Sequence, residues 1–182
     1  MGTIVSLALF SLVCGQNAEE FIPIRLAGDW RVEIGPGMVG EGMSFDAVSF
    51  EIARPKRIAV RDELHPTLPL FNPNAGGWAK GAKPRGIQTE ECTATGKLYP
   101  ETFRIKAERG DSSLVFAEGK DYQLDPYWGT FGRVEGSAIR EDQPVYLDYD
   151  YEPDRLDTIA VNDQSEARLF EGVSSLGVVL LV

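Results

Sequence analysis

The sequence predicts a mostly β fold: an antiparallel, sandwich-like domain carrying one long irregular excursion rich in proline and glycine. Three observations point there. Apolar and polar residues alternate with the two-residue period of a strand over many short runs, and no stretch keeps helical periodicity for three turns. The 19 glycines and 11 prolines also interrupt the chain every several residues. Successive side chains on a strand face opposite ways, so alternation lets one face be buried while the other stays wet. Many short strands separated by frequent turn residues are the pattern of antiparallel sandwiches and barrels.

The first twenty residues, "MGTIVSLALFSLVCGQNAEE", are apolar from Ile4 to Cys14 and carry no charge before Glu19. That is the length of a signal-peptide hydrophobic region and too short to span a bilayer. Val13-Cys14-Gly15 places small residues around a plausible cleavage point, although the usual basic start is missing. Ser11-Leu12-Val13 departs from a lipobox, which wants a small residue just before the cysteine. A leader over 1–18 and an exported β-rich domain over 19–182 are therefore expected.

The strands of that domain follow in order. "DWRVEIG" sets Trp30, Val32 and Ile34 against charged neighbours, and "SFDAVSFEI" offers Phe45, Val48, Phe50 and Ile52 with a bulge in the run. "RIAVRDE" places Ile58 and Val60 on one face. "ETFRIKAE" alternates Phe103, Ile105 and Ala107 with Thr102, Arg104 and Lys106. "SSLVFAEG", "GTFGRVEG", "PVYLDYDYE", "RLDTIAVN" and "SLGVVLLV" complete the set. The segment 62–100 is dense in Pro, Gly and Asn and too long for a plain connection, so it is either functional or disordered. Its interleaved Leu68, Leu70, Phe71, Trp78 and Ile87 argue for an ordered excursion packed on a sheet. The terminal "GVVLLV" would be an aggregation hazard if exposed; it reads as a buried last strand or as the point where a longer polypeptide was cut.

Charge excludes some functions. The chain has a net charge of −10, which repels phosphate backbones and anionic membrane surfaces. Without Cys14 only Cys92 remains, so no intrachain disulfide and no thiolate zinc site is expected; Cys92 reads as a small core hydrophobe. No cofactor is expected.

Four patterns carry candidate chemistry. Gly110-Asp111-Ser112 matches the triplet that holds the nucleophilic serine in SGNH esterases, and Asp62-x-x-His65 has the spacing of their other triad members. In those enzymes the triplet follows a buried strand and opens a helix, whereas here "IKAER" precedes it and strand-like "SLVFAEG" follows. Arg109-Gly110-Asp111-Ser112 therefore reads as a hairpin turn. His65, the single histidine, lies upstream of the serine and precedes Pro66, which favours extended backbone. Asp148, Asp150, Glu152, Asp154 and Asp157 gather carboxylates, with Asp148 and Asp150 on one strand face and Tyr149 and Tyr151 on the other. They match no calcium-loop spacing, and a solvated acidic face accounts for them. Trp78, Tyr127 and Trp128 sit in Gly- and Pro-containing stretches where exposed rings can stack on sugars, or else be buried beneath a turn.

A longer pattern runs through these turns. "GDWRVEIG", "FNPNAGGWAKGAKPRGIQTEECT", "FAEGKDYQLDPYWGTFGRVEGSAI" and "QPVYLDYDYEPDRLDTIAV" occur in this order over about residues 25–165. They resemble the N-terminal β-rich accessory region of secreted SGNH-hydrolase-type proteins of planctomycete-like bacteria. The most specific pieces are Gly76-Gly77-Trp78 with Lys80-Gly81, and Gly119-x-Asp121-Tyr122 followed by Trp128-Gly129-Thr130. The resemblance implies a non-catalytic module that docks onto a downstream catalytic domain or presents acylated polysaccharide to it. It carries no catalytic residue onto this chain. A looser strand–turn rhythm is shared with phage-tail and surface modules, which gives a structural assembly role as one alternative. A self-contained esterase using Ser112 and His65 is another.

Overall fold

The computed structural model describes residues 22–39, 43–162 and 164–174. The expected leader over 1–18 and the apolar run after Leu176 lie outside the described residues. The described residues are mostly strand with two short 3-10 turns. In order the strands are β1 (Ile24–Gly28), β2 (Arg31–Ile34), β3 (Gly37–Val39), β4 (Met43–Phe45), β5 (Val48–Glu51) and β6 (Ile58–His65). There follow β7 (Leu98–Lys106), β8 (Tyr122–Asp125), β9 (Thr130–Arg133), β10 (Val145–Tyr151), β11 (Thr158–Val161) and β12 (Ala167–Phe170). Every pairing between these strands is antiparallel. They distribute over five small sheets, β1-β2-β5, β6-β10-β7, β11-β12, β3-β4 and β8-β9. Where one domain is expected over 19–182, the described residues gather into two compact units, 22–54 with 155–174, and 55–154.

In the first unit Val32 and Ile34 of β2 are buried while Arg31 and Glu33 look outward, as the alternation requires. Trp30 departs from that pattern. It occupies the β1–β2 turn with φ of 58°, so its side chain is not in phase with the strand. The run from Phe45 to Ile52 is not one bulged strand. Asp46 and Ala47 break it, Phe45 ends β4 fully buried, and Val48 starts β5 in a different sheet.

The second unit is organised around β10, whose burial alternates strictly: Val145, Leu147, Tyr149 and Tyr151 point in, and Tyr146, Asp148 and Asp150 point out. Phe103 packs against Phe131, Tyr122 and Tyr149 with ring centroids 5.2, 5.9 and 6.4 Å away. β6 contains a bulge, for Leu147 pairs with Glu63 and Tyr149 with Val60, so Arg61 and Asp62 together oppose Asp148. Asp62 takes φ of 55° there. An extra residue reverses which side chains face inward. Before the bulge Ile58 and Val60 lie opposite the inward Tyr151 and Tyr149; after it Glu63 and His65 lie opposite the inward Leu147 and Val145.

Three expectations are corrected here. The excursion is shorter than 62–100, because β6 runs to His65 and β7 begins at Leu98. "SSLVFAEG" contributes two isolated bridges in place of a strand, Val115 with Lys106, closing a hairpin after β7, and Glu118 with Tyr122. Lys106, which the alternation sets on the polar side of its strand, is 3% exposed. It does lie on the outer face, but the 107–114 hairpin loop folds across it: Gly110 donates its amide to Asp62 Oδ1 at 3.0 Å, and Arg109 lies over the Tyr146 ring. Beneath the loop, Lys106 Nζ meets Asp62 Oδ1 at 2.6 Å and Asp148 Oδ2 at 2.8 Å.

The excursion itself is ordered by β9. The Ala82 amide donates to the Phe131 carbonyl at 2.7 Å and the Phe131 amide returns the bond at 3.0 Å. Further along the same strand, Phe71 N donates to Arg133 O and Arg133 N to Pro69 O, both at 2.9 Å. Leu68 and Ile87 are buried as expected, whereas Leu70 stays exposed. Cys92 is half-buried, and its neighbour Thr93 is the buried residue of that turn, so Cys92 is not a core hydrophobe.

Removing one charge from a buried cluster strands the others. Lys106→Met is expected to destabilise the protein by about 2 kcal/mol, less than the roughly 3–5 of a fully buried pair because Asp62 remains about a third exposed. Adding Asp62→Asn and Asp148→Asn to that variant is expected to recover part of the loss. Urea unfolding of both variants measures it, and a triple variant no more stable than Lys106→Met contradicts the charge account.

Candidate functional site

Trp78 stands about fifty positions from the adjacent Tyr127 and Trp128 in sequence, yet the fold brings the three rings together. Trp78 and Trp128 are tilted at 37° with centroids 6.4 Å apart, and Tyr127 meets Trp128 edge-on at 5.8 Å. Each such pair contributes on the order of 1 kcal/mol beyond its buried area. Tyr127 remains 60% exposed. Trp78 and Trp128 are half-buried, so the cluster is a walled platform with one ring standing in solvent.

The loop between β8 and β9 presents two of the rings. Asp125 Oδ1 accepts the amides of Tyr127 at 3.1 Å and Trp128 at 3.0 Å, an Asx-type turn written in the Asp-Pro dipeptide. Gly129, with φ of 65°, closes the loop by donating its amide to the Asp125 carbonyl at 2.7 Å. The loop backbone is held from outside as well: Thr93 Oγ1 donates to Trp128 O, and Gly96 N to Tyr127 O at 2.8 Å.

Trp78 arrives on a 3-10 turn, Gly77–Ala79, inside the excursion. Gly77 has φ of 38°, and a Cβ there would sit 2.7 Å from Trp128 Cε2. A glycine at this place lets the backbone lie directly on the indole. Lys80 follows, and its Nζ reaches Asp125 Oδ2 at 2.6 Å. That ion pair, which sequence reasoning missed, joins the two segments carrying the aromatics. Burial is the largest influence on Asp125 and pushes its pKa up. The Lys80 hydrogen bond and the amides of Trp128 and Tyr127 outweigh it, so the carboxyl is held below its ordinary value.

The residues of the esterase-like pattern go elsewhere. Asp62 does not orient His65; the bulge turns it to the outer face, onto Lys106. His65 Nε2 instead meets Glu63 Oε1 at 2.7 Å, with its ring edge-on to Phe131. Glu63 Oε1 also accepts the Arg85 amide at 2.9 Å, and Glu63 Oε2 accepts the Tyr149 hydroxyl at 2.6 Å. Tyr149 Oη in turn accepts the Gly86 amide at 2.7 Å. Ser112 is exposed in the hairpin loop after β7, and the hydroxyl bonded within that loop is that of Ser113, which accepts the Glu108 amide at 2.8 Å.

The acidic run is spent on partners inside the fold. Asp148 meets Lys106, Asp150 meets Arg61 at 2.9 Å, Asp154 meets Lys97 at 2.7 Å, and Asp157 meets Arg155 at 2.8 Å. Glu152 accepts the Tyr99 hydroxyl at 2.7 Å. The face expected to be solvated is thus largely paired.

Compared with protein-family models, curated proteins and solved structures, the chain has no significant match.

The charged network implies a definite pH response. Burial raises the Glu63 carboxyl, but bonds from His65, Tyr149 and the Arg85 amide lower it further; the Lys106 hydrogen bond leads in lowering Asp62. A carboxyl whose folded pKa lies below its unfolded value stabilises the fold fully above the unfolded value, and that contribution is lost as pH falls through the folded one. Stability is therefore expected to hold near neutrality and to drop below about pH 4. Urea midpoints between pH 7 and pH 3 are expected to fall less steeply in Asp62→Asn and Glu63→Gln; an unchanged acid slope in both contradicts the assignment.

Proposed function

We propose that this chain is a non-catalytic accessory module of a secreted SGNH-type hydrolase, holding acylated polysaccharide on the Trp78–Tyr127–Trp128 platform for an esterase domain. The convergence of these three rings is the observation that carries the reading. A pyranose ring presents a C–H face that stacks on an aromatic side chain, and a ring fixed before binding loses little entropy when the sugar arrives. Tyr127 satisfies both conditions, being 60% exposed with its amide and carbonyl both hydrogen-bonded.

The non-catalytic part of the reading rests on separate placements. His65 is paired with Glu63, while Ser112 sits exposed in a loop tied to Asp62 through Gly110. A serine nucleophile needs a base within hydrogen-bond reach and donors aimed at the developing oxyanion. The commitment of the single histidine to Glu63 supports the non-catalytic reading.

Titration calorimetry with acetylated xylan oligosaccharides tests the platform. Tyr127→Ala is expected to weaken binding roughly fivefold, the equivalent of about 1 kcal/mol. Its melting temperature should stay close to that of the parent, since the ring is mostly solvated. Equal binding by the two proteins removes the platform from the reading. In a parallel assay Ser112→Ala is expected to leave any turnover of p-nitrophenyl acetate unchanged; a Ser112-dependent activity overturns the non-catalytic assignment.

A further inference from the structure

The two segments that carry the rings also carry a pair of groups whose chemistry narrows the ligand. Lys80 and Asp125 are joined at 2.6 Å, with side chains 23% and 14% exposed. The pair is placed by the same backbone that places the rings: Lys80 ends the 3-10 turn carrying Trp78, and Asp125 accepts the amides of Tyr127 and Trp128. The ion pair and the rings are therefore held by the same two segments.

Asp125 has little acceptor capacity left. One carboxylate oxygen takes two amides and the other takes the ammonium. Lys80 is different, since an ammonium has three donors and Asp125 uses one of them. What the pair can offer a ligand is thus a donor without net charge, because the lysine is already neutralised. The whole chain adds a net charge of −10, which discourages the approach of an anion.

We propose that the Lys80–Asp125 pair makes this platform selective for uncharged saccharides that present an acceptor oxygen (a ring oxygen, hydroxyl or ester carbonyl) and selective against uronates and sulfated sugars. The inference rests on the saccharide-platform reading and adds to it the class of sugar. A carboxylate or sulfate brought here loses hydration, and the Lys80 cation is already committed to Asp125. A neutral sugar oxygen asks only for a hydrogen bond, which the remaining Lys80 donors supply.

Charge balance gives a test that simple damage to the site would not mimic. Asp125→Asn keeps an amide oxygen to accept the Tyr127 and Trp128 amides but frees the lysine charge. Calorimetry with xylohexaose and with an oligogalacturonate of equal length, on the full chain, compares the two ligand classes. The parent protein is expected to bind xylohexaose at least tenfold more tightly than the uronate. Asp125→Asn is expected to gain about fivefold for the uronate, as one uncompensated ammonium at a partly exposed site would give. Lys80→Gln is expected to show no such gain. Parent protein that favours the uronate, or an Asp125→Asn variant whose preference is unmoved, overturns the role of the pair while leaving the aromatic platform standing. Binding of neither oligosaccharide overturns this inference, and the platform reading falls with it when acetylated xylan oligosaccharides also fail to bind. Near-ultraviolet circular dichroism of the two variants, matching that of the parent, establishes that the tryptophans keep their packing.

Discussion

One extra residue in β6 governs the second unit. At Asp62 the backbone enters the left-handed region, and the strand that had aimed Ile58 and Val60 inward then aims Glu63 and His65 there instead. A non-glycine residue in that region costs of order 1 kcal/mol or more, so it persists only where its surroundings determine it. Here they do. The Asp62 amide donates to Asp148 Oδ1 at 2.9 Å, while its carboxylate takes Lys106 and the Gly110 amide. Aspartate is also among the few side chains that tolerate this geometry. The bulge and the Lys106 cluster hold each other in place, neither being reasonable alone.

The inward side of the same bulge fixes the excursion. Glu63 accepts the Arg85 amide and Tyr149 accepts the Gly86 amide, so the second 3-10 turn, Arg85–Ile87, is anchored onto the sheet. Ile87 then fills the core under the β8–β9 loop, where a Cβ on Gly129 would come within 2.2 Å of Ile87 Cδ1. Trp128 is the next residue back. A path of contacts thus runs from a strand irregularity to the aromatic platform, and the buried polar groups along it are mutually satisfied. That satisfaction matters because a buried carboxylate with an unmet lone pair is costly, whereas a full set of donors turns it into a rigid joint.

What the sequence reveals of this arrangement depends on range. The period-two pattern of β10 could be read directly, since Tyr149 and Tyr151 alternate with Asp148 and Asp150 whatever the rest of the chain does. The hairpin at Gly110 was legible for the same local reason, and the aromatic candidates were legible as residue types in turn-forming stretches. The bulge was not. Nothing in "RIAVRDELH" says that Asp62 is doubled against Asp148, because the residues that stabilise it, Lys106 and Gly110, come from another strand and its loop. Once the bulge is missed, Asp62 is paired with His65 on spacing alone, and Glu63, the true partner, is overlooked. The burial of Lys106 was hidden for a related reason. Alternation places a side chain on a face, but what covers that face is a long-range fact.

The same distinction bears on how an aromatic cluster arises at turns in a chain of this composition. Net acidity works against a cation-lined site, and a mostly β scaffold with short strands offers few long grooves. Rings held at turns need neither. Asp125 and Gly77 show the economy of the solution: a single carboxylate orients two aromatic residues and neutralises the adjoining lysine, while a missing side chain lets Trp128 lie against the neighbouring turn. Each of these constraints acts on the backbone and not on the exposed ring. Tyr127 is consequently free to be chosen for what it touches, because its position is set by Asp125, Gly96 and the loop closure at Gly129. Under the proposed saccharide reading, affinity would follow the exposed ring and selectivity the Lys80–Asp125 pair, so the two could change independently.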